Sequence, residues 1–140
     1  MDIDILLKKL SWHMPKHVQE AATNELSCLS YDKKLPMLLQ PNHKDCWENA
    51  TIGLKKIGYP RIEGIIYGLI TWLQDINWPG AYIVIDILSE VDKEELLPHI
   101  ERALIEACYD DSWIYGIRLL VDATKLTESD FSSSEITSVA

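Results

Sequence analysis

Apolar residues recur every three or four positions along most of the chain. In residues 94–108 they fall at Leu96, Leu97, Ile100, Ala103, Leu104, Ala107 and Cys108, with charged residues between them. That is the 3.6-residue period of a helix with one buried stripe. Only Ala81–Leu88 can be read as a strand, because its apolar run is continuous. Its Asn77-Trp78-Pro79 lead-in and helical neighbours favour a buried helix instead. The pattern predicts helices over about 2–10, 15–28, 33–40, 45–57, 60–74, 79–90, 94–108 and 111–124. Gly58 is expected to end one helix and Pro60 to occupy the first turn of the next. Asp92 with Glu95 three residues later has the form of a capping box. The helix over 60–74 is apolar almost all round, which places it centrally, and Gly64 and Gly68 on it would let a neighbour come close.

Two patterns repeat. Trp47, Trp78 and Trp113 are each followed three residues on by a small residue (Ala50, Ala81, Gly116) and seven on by an aliphatic one (Leu54, Ile85, Leu120). Offsets of three and seven share a helical face, so the three segments are expected to bury equivalent stripes. Pro60-Arg-Ile-Glu and Pro98-His-Ile-Glu interleave with them as Pro-x-Ile-Glu, and Leu35-Pro36 begins a weaker, earlier copy. Helices opening with Trp and helices opening with Pro thus alternate. Stacked antiparallel pairs of this kind make a short right-handed α-α superhelix, HEAT- or armadillo-like, of about seven to eight helices. The expected fold is all-α, one repeat domain over 1–124. A Ser-rich tail over 125–140 is expected to be poorly ordered unless it docks through Phe131 and Ile136.

Composition narrows the function. At 140 residues with 47% hydrophobic content, the chain can bury a core without staples. Cys28, Cys46 and Cys108 form no Cys-x-x-Cys pair and read as thiols in a reducing compartment. The acidic start and the lack of a long apolar run argue against a secretion signal or a membrane span, which leaves the cytoplasm as the expected location. The net charge of −9 is concentrated: residues 86–111 hold nine carboxylates against Lys93 and Arg102. Such a surface repels phosphate backbones and attracts a basic protein.

No nucleophile with a base, no Gly-rich phosphate loop and no metal-protease motif occurs, so no catalytic residue is assigned. His43-x-x-Cys46 is half of a zinc site with no second half, and no metal or cofactor is expected. Glu63 and Glu101 occupy matching repeat positions and could pair, but acids in a first helical turn are accounted for by the helix dipole. Trp47 and its repeat mates are expected to fill the wedges between units. Trp72, with Tyr67 and Asp75 near it, is the better candidate for an exposed contact, with core packing as the alternative reading that any single tryptophan favours. Glu101, Glu106, Asp110, Asp111, Trp113 and Tyr115 complete the expected partner-binding patch.

Ile57-Gly-Tyr-Pro, Trp72-Leu-Gln-Asp-Ile-Asn-Trp-Pro-Gly-Ala, Leu97-Pro-His-Ile and Asp110-Asp-Ser-Trp-Ile-Tyr together resemble the small bacterial helical family known as domain of unknown function 5071. The resemblance covers about residues 43–122. It implies an α-α superhelical fold and no settled activity. Proteins of this look include immunity partners of secreted bacterial toxins. The resulting expectation is a non-enzymatic protein-binding module, an immunity protein covering a basic toxin domain. The alternatives are a scaffolding subunit of a larger assembly and a HEAT-like enzyme acting on a nucleobase or small molecule.

Overall fold

A computed structural model describes residues 2–28 and 32–131, and within them the chain forms helices and no strand. Local sequence sets most helix ends. α1 (Ile3–Lys8) starts at Asp2, whose carboxylate accepts the Asp4 N–H at 3.0 Å. α2 (Lys16–Leu26) follows Pro15, which lacks the N–H that a first turn leaves unpaired. α3 (Trp47–Ile57) ends at Gly58, whose φ of +73° suits glycine, and the Gly58 N–H donates to the Leu54 carbonyl. α4 (Ile66–Thr71) is short and continues at both ends as 3-10 turns, Glu63–Ile65 and Trp72–Gln74. α5 (Ala81–Leu88) and α6 (Lys93–Ala107) follow. α7 (Asp111–Thr124) starts at Asp110, whose side chain accepts the Trp113 N–H at 3.1 Å.

The helices pack in two layers. α2 lies on α3, α3 on α5 and α5 on α7; behind them α4 lies on α6, and α4–α5 and α6–α7 contacts join the layers. The Trp-led repeat read from the sequence falls on α3, on α5 with the turn before it, and on α7. Ala50, Ala81 and Gly116 are buried, as are Leu54, Ile85 and Leu120. At Gly116 a small residue is needed because α7 comes close to the backbone of the Trp72–Gln74 turn. A Cβ on Gly116 would lie 2.9 Å from Leu73 Cβ and closer still to the Leu73 carbonyl oxygen. Trp47 stands edge-to-face against both Trp72 and Trp78, with ring centroids 6.0 and 5.7 Å apart.

Several expectations need correction. Residues 32–38 form a 3-10 turn rather than an α-helix; Pro36 inside it has no N–H to give to an i→i−4 ladder. The segment 60–74 is central, as expected, but is not one helix. Ile62, Ile65, Ile66, Leu69, Ile70, Trp72 and Leu73 are all buried. The 3-10 turns at either end, with three residues per turn, rotate side chains inward that a straight helix would turn out. Pro60 therefore lies in the preceding turn, while Pro98 lies inside α6, so the two Pro-x-Ile-Glu copies are not structurally equivalent. Gly68 receives Leu39, whereas Gly64 has nothing within 4 Å. Asp92 and Glu95 do not form a capping box. Both instead accept from the Tyr59 hydroxyl, Asp92 at 3.4 Å and Glu95 more closely.

Beyond α7, Leu126 is buried, Phe131 packs on the core, and Asp130 pairs with Lys93 at 3.7 Å. Ser132-Ser-Ser and Ile136, on which the expectation for the tail also rested, lie outside the described residues. Among the described residues no helix is long and apolar enough to cross a membrane.

Candidate binding surface on helix α6

α6 buries Leu96, Ile100, Ala103, Leu104 and Ala107 and turns its other side to solvent. That outer side is not uniformly polar. Pro98, Glu101, Arg102, Ile105 and Glu106 line an open depression of about 420 Å³. Ile105 is 67% exposed, and Tyr109, just past the helix end, is 93% exposed. An isoleucine and a tyrosine in water four residues apart, amid carboxylates, form the most unusual stretch of the described surface.

Side chains from the neighbouring elements fix the rim. Tyr67 of α4 reaches across and donates its hydroxyl to Glu106. The Arg102 guanidinium lies 3.8 Å over the Tyr67 ring and its Nε donates to Glu106 Oε1 at 3.1 Å. His99 faces the same ring, centroids 6.3 Å apart. Burial, then the Glu106 hydrogen bond, pushes the Tyr67 phenol up to about 12. In return the Tyr67 hydroxyl and Arg102 hold the Glu106 carboxyl below its ordinary value. Tyr59 repeats the arrangement one turn from the α6 start: its hydrogen bond to Glu95 pushes the phenol up to about 12. Both cations of this region are engaged, Lys93 with Asp130 and Arg102 with Glu106. The field over α6 and the α6–α7 turn is therefore set by its carboxylates.

The structure divides the residues singled out from the sequence. Tyr67, Glu101 and Glu106 meet at this rim. Asp111 and Tyr115 are exposed at the start of α7, and Asp110 is occupied as its cap. Trp72 is not an exposed contact. It is fully buried and its indole N–H donates to the Pro79 carbonyl at 3.0 Å. Trp113 is core too, its N–H donating to the Ile70 carbonyl at 3.1 Å. One indole meets a carbonyl of a neighbouring turn and the other a carbonyl near the end of α4, a use that no periodicity reveals. Asp75 accepts the Asn77 N–H at 2.8 Å in a turn and does not line the α6 depression. Glu63 and Glu101 line different depressions.

Ile105, Tyr109, Tyr59, His99 and the clamp role of Arg102 went unpredicted. Ile105 was legible as an apolar residue off the buried stripe; the others depend on which element faces α6. Cys46 is buried, and burial pushes its thiol up. Among the described residues no group of three or more His, Cys, Asp or Glu is placed to hold a metal ion.

No match was found among curated proteins or among solved structures. A family model matches residues 39–140, which takes in α3 to α7 and every residue of the α6 surface. The chain belongs to the family described as Domain of unknown function (DUF5071).

Proposed function

We propose that the protein binds a basic protein partner through the outer side of α6 and the α6–α7 turn, without catalysing a reaction. The observation that carries this reading is the pairing of exposed Ile105 and Tyr109 with the surrounding carboxylates of α6 and the adjoining turn. Apolar groups inside a charged rim match the anatomy of a protein interface: charges steer the encounter and the apolar centre holds it. An immunity role, in which the partner is a basic toxin domain, is the form of this reading that agrees with the family's look. A HEAT-like α-α superhelix would present α6 in its second-helix layer, and three free thiols suit the cytoplasm.

The test uses the protein as bait in a lysate of its source cell at low and high salt, followed by kinetics with the purified partner. Replacing Glu94, Glu101 and Asp111 together by Lys is expected to slow association by about tenfold and flatten its salt dependence. Ile105→Ser is expected to speed dissociation instead. Association and dissociation rates unchanged in both variants would remove α6 from the interface.

A further inference from the structure

On the first layer, away from α6, the start of α5 and the turn before it form a second concavity. It is a notch lined by Glu48, Ile76, Trp78, Tyr82 and Ile83, with Asn77 at its edge. Tyr82 is 62% exposed and Trp78 is half-buried. Among the described residues that line it, Glu48, exposed on the first turn of α3, supplies the one carboxylate.

Trp78 differs from its neighbours. The indole N–H groups of Trp47, Trp72 and Trp113 donate to the carbonyls of Pro41, Pro79 and Ile70. Among the described residues the Trp78 indole N–H has no such partner, although its ring is held edge-on against Trp47. A fixed indole with an unused donor, a neighbouring phenol and one carboxylate are the parts of a site for an organic cation. The aromatic faces attract the charge, Glu48 neutralises it, and the indole N–H can take a carbonyl next to it.

We propose that this notch receives a lysine or arginine side chain from an extended basic peptide segment of a protein partner. The cation lies between the aromatic rings and Glu48, with the adjoining peptide carbonyl on the Trp78 indole N–H. The site goes beyond the α6 surface and does not depend on it. Charge complementarity selects the occupant: a cation gains an attraction to Glu48 and to the ring faces that a neutral side chain lacks, and an acidic side chain would be repelled.

Two-dimensional NMR of the full chain tests this with defined probes. Tetramethylammonium is expected to shift the Trp78 indole N–H and the Ala81 and Tyr82 amides, while tert-butanol, its neutral counterpart in shape, leaves them in place. A short Gly-Ser peptide carrying a single Arg should move the same signals. Glu48→Gln and Tyr82→Ala, both at exposed positions, should each weaken that response by about two- to fivefold. An equal response to tert-butanol would show an apolar dimple and overturn the proposal. So would a cationic peptide that shifts only α6 signals, an outcome that would leave the α6 reading standing.

Discussion

Gly116 and Gly64 make a controlled pair. Gly116 faces the Leu73 backbone at a distance no Cβ tolerates, and Gly64 faces open space with an ordinary backbone conformation. Gly116→Ala is expected to cost about 1–3 kcal/mol by forcing α7 away from the 3-10 turn at Trp72. Gly64→Ala should be neutral or gain up to about 1 kcal/mol through the unfolded chain. Urea titrations of both variants check the contrast. Tyr59 and Tyr67 give a second test. Each phenol ordinarily titrates at 10.0 and is pushed up to about 12 in the fold. A raised folded value means the stabilisation is complete below pH 10 and is lost as the pH rises through about 12. Ultraviolet titration should show two phenols ionising late, and Tyr59→Phe and Tyr67→Phe should remove one each. At this scale the sequence was only partly legible. The burial of Ala50, Leu54 and Ile85 followed from spacing, but Trp72 did not. Its environment depends on the Pro79 carbonyl, which a turn brings back to it.

Among the elements, α6 carries one residue that its helix does not favour. Pro98 lies in its interior, where it leaves the Glu94 carbonyl without the usual N–H partner. Pro98 is exposed, so Pro98→Ala sacrifices little packing and restores that bond. The variant is expected to be more stable by about 1 kcal/mol or more, read from its denaturation midpoint. Lower stability would mean that the proline itself is needed to seat α6 on α4. The helices themselves were legible wherever one amphipathic stripe ran unbroken, as in α3, α6 and α7. The 60–74 segment was not, because an all-round apolar sequence carries no phase from which to read a switch to 3-10 turns. The matching Pro-x-Ile-Glu copies misled for a related reason: four residues repeat, but one copy precedes its helix and the other lies within it.

At the scale of the whole molecule, the N-terminal elements close one end of the first layer. Residues 1–38 precede the family match, and α2 packs on α3 with Leu26 seated over Gly53. Asn49 of α3 donates to the Leu10 carbonyl at 2.7 Å and to Gln19 at 2.8 Å, and Lys56 reaches Thr23 and Asn24. Stacked helices need such an end cap, since each layer's last apolar face is otherwise open. Asn49→Ala, which breaks both of its bonds, is expected to cost about 1–2 kcal/mol in a thermal or denaturant melt. Removing residues 1–38 should leave Gly53 and the α3 face around it exposed and yield a chain that self-associates, visible by light scattering. The Trp47 ring, 6.0 Å from that of Trp72 and 5.7 Å from that of Trp78 and steeply tilted to both, has an optical consequence. Neighbouring indoles at these separations share their excited states, so their absorption bands should split into a circular-dichroism couplet superimposed on the helical spectrum. That couplet would vanish when the rings part, even while the helices persist, which gives a spectroscopic signal for side-chain order separate from backbone order.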